Sequence, residues 1–320
     1  MALRIAKLRV KRALRSRYLF DNWLLLLAKY ALIKLGLNVK LEAKIKGYSF
    51  KLSSDVLVWF VSRFSHCLIR HVDCVNNTLI MDNVRVKLVS DAVYDVKAFA
   101  KSLGWRYDAS RDCWIKGDAM FKRIYMPVID IFDFGAYDEL EFRDKVIVDV
   151  GAFVGDSAIY FALRGAKKVI AVEPHPEAFK EMLENIRLNG LEDVVVPINA
   201  GLASRPGSIH VKKVDLTQAD GMYHRPSRCG EIPAVTLGEL IDKYDLSSDA
   251  VLKLDCEGCE YDVILNDYEH IKVFDELIVE YHAGHVGIPV SKLLKILSKD
   301  YRCKIVKGDK EFGIVHCTKK

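Results

Sequence analysis

The stretch Val146-Ile-Val-Asp-Val-Gly-Ala-Phe-Val-Gly-Asp-Ser157, with the apolar run Val169–Val172 and Glu173 behind it, constrains the chain more than any other feature. Val146–Val150 is a short β-branched run, the kind that a parallel strand buried on both faces uses. Gly151 and Gly155 follow it, where the backbone can turn tightly and approach a ligand with no Cβ in the way. Asp156 and Ser157 are good N-cap types, and Ser157–Leu163 reads as the helix that comes next. About 17 residues past the turn a second strand ends in Glu173, whose carboxylate would reach the crevice at the strand ends and accept hydrogen bonds from a ribose diol. The unit reads as a nucleoside-binding βαβ.

A dinucleotide fingerprint would be G-x-G-x-x-G. Here the string is Asp149-Val-Gly-Ala-Phe-Val-Gly155, with an aspartate at the first glycine position. An acid there opposes a pyrophosphate. It suits a ligand bearing positive charge, such as the amino group and sulfonium of S-adenosylmethionine, although capping of the turn would also account for it. Methyl-donor binding is the better reading because turn, spacing and Glu173 agree with one another. On it, Gly151→Val should block the donor while the domain stays folded.

The chain's 320 residues suit one large or two modest domains, and 51% hydrophobic content is ample for a core. A net charge of +5 falls short of a nucleic-acid protein's footprint. The excess is uneven, since Arg4, Lys7, Arg9, Lys11, Arg12, Arg15 and Arg17 precede the first acid, Asp21. Such a block fits an anionic partner, a membrane surface or RNA, and equally a solvated terminus. The apolar segment Tyr18–Leu37 is broken by Asp21, Asn22, Lys29 and Lys34, too often to cross a bilayer, and lacks a secretory cleavage site. An amphipathic helix packed on the domain is expected, with a helix lying in a membrane interface as the sharper alternative. The eight cysteines (67, 74, 113, 229, 256, 259, 303 and 317) show no repeating spacing, which fits reduced thiols in a cytoplasmic protein. Cys256-Glu-Gly-Cys259 has no second pair to complete a zinc site, and no metal ligands are assigned.

Three zones follow. Residues 1 to about 40 look helical, and 41 to 135 carry short β-type runs at Leu41–Ile45, Tyr48–Leu52, Thr78–Met81 and Val84–Val89, a helix near Ala92–Leu103, and a hairpin around Asp108–Asp112. This N-terminal α+β extension, 1–135, would be a cap or substrate-selecting region. From 136 to 320 strands and helices alternate as in a doubly wound α/β sheet. Its strands are expected at Lys145–Val150, Lys168–Glu173, Val194–Asn199, Val251–Asp255 and Leu277–Tyr281, and its end is an antiparallel hairpin, Arg302–Val306 with Phe312–Cys317. Ser204–Ala234 interrupts the alternation with a hairpin-like run and a polar, Gly/Pro-containing loop of a length that is usually functional or mobile.

Val251-Leu-Lys-Leu-Asp-Cys-Glu-Gly258 is the second informative string. Lys253, Asp255 and Glu257 alternate, so they share one face if the strand persists, and charges on a buried strand are costly unless paired or functional. The fifth strand delivers Glu280, Tyr281 and His282 to the same edge. A Lys, three carboxylates and a His would thus converge opposite the methyl donor, where a carboxylate or His can take an acceptor's proton.

Asp149-Val-Gly-Ala, Gly155-Asp156, Val172-Glu-Pro-His-Pro-Glu-Ala-Phe179, Asn185 to Asn189, Val235-Thr-Leu237, Lys253-Leu-Asp-Cys-Glu-Gly-Cys-Glu260 and Ile278-Val-Glu-Tyr-His282 resemble, in order and spacing, the FkbM family of S-adenosylmethionine-dependent methyltransferases, over about 135 to 285. The resemblance implies a Rossmann-like class I methyltransferase fold and O-methylation of sugars or natural-product hydroxyls. It places Asp149, Gly151, Gly155 and Asp156 on the methionine and turn side and Glu173 at the ribose. Ala152, Phe153, Ser157, Pro174 and Ala200 complete the implied donor site, with Asp255, Glu257 and His282 on the reaction side. Cys259 stands where the family usually has a small apolar residue, and residues 1–135 carry no family motif.

The expected function is therefore O-methylation of a sugar, glycolipid or small-metabolite hydroxyl, with S-adenosyl-L-methionine as cofactor and a small-molecule or glycan acceptor. RNA or protein methylation, favoured only by the basic N-terminus, and a non-catalytic binding protein keeping the fold are the alternatives. A cytoplasmic protein, peripheral to the membrane through that N-terminus, is the expected setting.

Overall fold

The protein was analysed as a computed structural model that describes residues 10–66, 68–89, 92–211, 216, 225–227 and 230–320. They form two compact units, one comprising residues up to 116 with 123–134, the other 117–122 with 135–320.

In the first unit residues 10–15 are helical, and α1 (Trp23–Lys34) follows. β1 (Leu41–Ile45) and β2 (Tyr48–Leu52) pair antiparallel where alternation places them. α2 (Ser54–Ser65) lies in the zone expected to carry short β-type runs, where no element was placed between Leu52 and Thr78. Tertiary burial of Val56, Leu57, Trp59 and Phe60 along one helical face holds it as a helix. β3 (Val72–Val75), β4 (Thr78–Met81) and β5 (Val84–Lys87) form a meander. β6 (Val93–Tyr94) precedes α3 (Val96–Ser102), which starts four residues later than expected because Asp95 caps it, accepting from the Ala98 amide at 2.7 Å. The hairpin β7 (Arg106–Asp108) and β8 (Cys113–Lys116) matches expectation. The unit's last helix, α4 (Met126–Phe134), gives two of its buried indoles acceptors: Trp59 Nε1 donates to Asp130 at 3.0 Å and Trp105 Nε1 to Asp133 at 2.9 Å.

In the second unit β9 (Ala119–Phe121) comes first, then β10 (Val146–Val150), α5 (Asp156–Leu163), β11 (Lys168–Val172), α6 (Pro176–Leu188) and β12 (Val195–Ile198). A small sheet of β13 (Gly201–Leu202), β14 (Gly207–His210), β15 (Arg225–Ser227) and β16 (Ile232–Val235) occupies the described part of the expected long loop. Next are α7 (Leu237–Tyr244), β17 (Val251–Leu254), α8 (Cys259–Asn266), α9 (Tyr268–Ile271), β18 (Glu276–Tyr281), α10 (Ala283–Val286) and α11 (Val290–Leu297). The hairpin β19 (Tyr301–Gly308) and β20 (Gly313–Lys319) closes the chain.

The main sheet runs β12-β11-β10-β17-β18-β20-β19, with every strand in one direction except β20, which pairs antiparallel with both β18 and β19. The connection direction reverses between β10 and β17, which opens a crevice at their carboxyl ends. Val148, Ile170, Leu252 and Val279, all at 0–1% exposure, form its core with the flanking helices.

Two cysteine pairs correct the expectation of reduced thiols. Cys256 and Cys259 are disulfide-bonded, Cα–Cα 5.4 Å, and so are Cys303 and Cys317, Cα–Cα 4.1 Å. Cys303 and Cys317 are directly opposed in the β19–β20 register, which spacing alone does not reveal. Cys74 and Cys113 are buried free thiols, while Cys67 and Cys229 lie outside the described residues. No helix of the described residues is long and apolar enough to cross a membrane.

Candidate active site

Asp149 and Lys253 are register partners on β10 and β17, so their side chains leave the same face of the sheet. Both are sealed from water, and Lys253 Nζ lies 2.9 Å from Asp149 Oδ1. Nζ also donates to the Gly151 carbonyl at 2.9 Å, and Ser157 Oγ donates to Asp149 Oδ2 at 2.6 Å. Lys253 therefore braces the donor turn from below and does not join the acceptor-side cluster.

The turn itself is tight. Gly151 (φ 79°), Phe153 (φ 46°) and Gly155 (φ 84°) all adopt left-handed backbone. A Cβ on Gly151 would stand 1.7 Å from the Asp255 carbonyl oxygen. Gly151→Val is thus no clean block of a folded domain, since it forces the ends of β10 and β17 apart. Gly155, not Asp156 or Ser157, is the N-cap of α5, and no side chain caps it. Ser157 has turned to Asp149 instead, and Ala152 is fully buried with its amide on the Val172 carbonyl at 3.2 Å.

Glu173 is 2% exposed, and its two oxygens accept from the amides of Phe153 at 2.8 Å and His175 at 2.7 Å. It ties the turn to the end of β11. Burial pushes its carboxyl up to about 7, against those two amides. Burial likewise raises Asp156 to about 7, opposed by Lys253.

Beside the turn lies a cavity of about 300 Å³, lined by Gly151, Pro174, Ala200, Cys256 and Gly258 among others. Its walls come from the ends of β10, β11, β12 and β17, from α8 and from the small sheet at β13 and β14, and its size is that of a small-ligand pocket. Pro174 and Ala200 thus lie where the sequence suggested. Glu173 stands behind the turn and is not a wall residue.

On the other side of the β17 end the strand stops at Leu254, so the alternation of Lys253, Asp255 and Glu257 breaks. Asp255 accepts from the Tyr137 hydroxyl at 3.0 Å. Glu257 takes a left-handed φ of 56° and turns away from the cavity that its neighbours Cys256 and Gly258 line. Its Oε2 lies 2.9 Å from His285 Nδ1, and its Oε1 lies 3.7 Å from His282 Nε2. His282 is held by Glu260, fully buried at the start of α8, which accepts from its backbone amide at 3.0 Å and sits 3.1 Å from Nδ1. A carboxylate only accepts, so Nδ1 carries a proton. Burial works against the charged ring, but Glu257 and Glu260 outweigh it and hold the His282 pKa well above the ordinary imidazole value. Among the described residues Asp255, Glu280 and His282 form the one set whose ligand atoms approach within 4.8 Å of one another.

Asp255, Glu257 and His282 are thus brought together, as the sequence anticipated. Tyr137, Glu260 and His285 were not assigned. Glu260 stood in the quoted string and His285 lies three residues past His282, but only the fold shows what each touches. His224, an alternative base, lies outside the described residues.

A doubly wound sheet of this order, with an acidic glycine turn on its first strand and an antiparallel closing hairpin, is the architecture of class I S-adenosylmethionine-dependent methyltransferases. Residues 149–303, just under half of the chain, match the methyltransferase FkbM domain. It is similar to the hexuronic acid methyltransferase AglP of Haloferax volcanii, 29% identical over 174 residues, which are 54% of this chain and 70% of that protein. A shorter likeness, 40% identity over 65 residues, links it to the ribosomal protein L11 methyltransferase of Citrifermentans bemidjiense, covering 20% of this chain and 21% of that one. Among solved structures it is similar to the methyltransferase FkbM from Methylobacillus flagellatus, with 17% identity and a TM-score of 0.39 over 59% of this chain and 47% of the other.

Proposed function

We propose that the second unit binds S-adenosylmethionine in the cavity beside Gly151 and transfers its methyl group to a hydroxyl of a sugar, glycolipid or small metabolite, with a uronic acid as the first acceptor to test. One observation carries this reading. Cys256 and Gly258 face the cavity while Glu257 between them faces His282 and His285, which gives donor and proton acceptor opposite sides of a single loop. Similarity to a hexuronic acid methyltransferase supports the acceptor class.

The residues fit the donor. The turn allows close backbone approach, and Pro174 and Ala200 bound the space beyond the β11 and β12 ends. Glu173 fixes the turn and is the carboxylate nearest in sequence and fold to the ribose position. S-adenosylmethionine supplies an electrophilic methyl carbon whose bond to sulfur breaks as the new bond to oxygen forms. Glu257 receives the acceptor's proton, and His282, as its imidazolium, stands beside that carboxylate to orient it. Asp255, anchored by Tyr137, borders both sides and orders donor and acceptor together.

Incubating the full chain with methyl-labelled donor and uronic-acid oligosaccharides should place one labelled methyl on an acceptor oxygen, read by mass spectrometry. Label entering RNA or a protein, with none in the glycan, would replace this reading by the alternative one.

A further inference from the structure

We propose that the outward face of α1 docks on an anionic lipid surface. α1 was expected to be amphipathic and packed inward, yet its only fully buried residue is Leu26. Leu24, Leu25, Ala28, Ala31, Leu32 and the following Leu35 are all exposed, Leu24 at 65% and Leu35 at 78%. At about 100° per residue they cover a single arc of about 120° on the side away from Leu26. Lys29 and Lys34 fall beyond its two edges. The stripe is part of a concentration: of thirteen exposed large hydrophobic residues in the described chain, eight lie between Val10 and Leu37.

Charge selects the occupant. Residues 1–40 hold ten Lys and Arg against one acid, Asp21, and so carry +9. The other 280 residues, with 38 basic and 42 acidic side chains, carry −4. The basic excess is confined to the segment that presents the leucines. Leucines bracketed by lysines match the boundary between acyl chains and anionic headgroups, and twelve helical residues are enough to lie there though too few to cross. A second copy of the same face would bring two +9 segments together, and RNA phosphates offer the leucines nothing. This inference does not depend on the acceptor assigned above.

Co-sedimentation with phosphatidylcholine vesicles, with and without phosphatidylglycerol, tests it on the full chain. The wild type should bind the mixed vesicles, release as salt rises, and bind neutral ones at least about tenfold more weakly. Leu24→Ser with Leu32→Ser leaves every charge in place and alters only exposed positions. It should weaken mixed-vesicle binding at least about tenfold, with unchanged S-adenosylhomocysteine affinity as the control for folding. No binding to mixed vesicles, or equal binding by the double variant, overturns the proposal. So does a dimer that the double variant abolishes, or RNA binding in place of vesicle binding.

Discussion

Asp149 and Lys253 sit opposite each other on adjoining strands, out of water and 2.9 Å apart. Around them Asp156 and Glu173 are buried acids whose pKa values rise to about 7, and this has a consequence for stability. A carboxyl with a raised folded pKa binds its proton more tightly folded than unfolded. Its contribution is complete below the unfolded value near 4 and is lost as pH rises through about 7. Asp156→Asn, neutral throughout, should therefore gain stability relative to wild type as pH rises from about 4 to about 7 and level off above that. Denaturant midpoints across that range are the check, and a flat difference would contradict the burial argument. Glu173→Ala loses charge-assisted hydrogen bonds worth about 1.5–3 kcal/mol each, so donor affinity should fall at least about tenfold. For the chemistry, Glu257→Gln or His282→Ala should each lower the methylation rate by about 10²–10⁴-fold with donor affinity nearly unchanged. Donor affinity falling in step with rate would make Glu257 a binding residue.

α6 shows an element positioned by its side chains. Asn185, fully buried, donates to the Val154 carbonyl at 2.9 Å and accepts from the Lys122 amide at 2.8 Å. One turn on, Asn189 clasps Met120 through both its amide atoms, at 2.9 and 2.6 Å. The two asparagines thus fix β9 and the donor turn to one helix. Asn185→Ala strands two buried backbone groups and should cost about 2–4 kcal/mol in unfolding free energy, read by urea titration. The elements of the second unit were legible because a parallel sheet buried on both faces writes itself as apolar runs, and glycines mark the turns between them. α5 ends at Leu163 as its sequence suggests, but Gly155 takes the N-cap place expected of Asp156 or Ser157. Register was not legible: nothing local says that Asp149 faces Lys253 or Cys303 faces Cys317. Lys253 was accordingly assigned to the wrong cluster, because alternation was extended past Leu254, where the strand ends.

At the scale of the molecule, the two units differ in how plainly they speak. The first has short strands and a helix, α2, in a zone expected to carry β-type runs, where burial of one face set the element. The second carries a string of residues whose roles depend on one another, and the site they form is legible as far as chain order carries. Tyr137, Glu260 and His285 enter only when the fold closes. The central claim is that this chain holds a methyl donor beside Gly151, and calorimetric titration of the full chain with S-adenosylmethionine tests it most directly. The titration should show one site per chain, competed by S-adenosylhomocysteine, retained in Glu257→Gln and lost when Ala200→Trp fills the cavity. A folded wild-type chain that binds neither compound, or an Ala200→Trp variant that binds as wild type does, would contradict it.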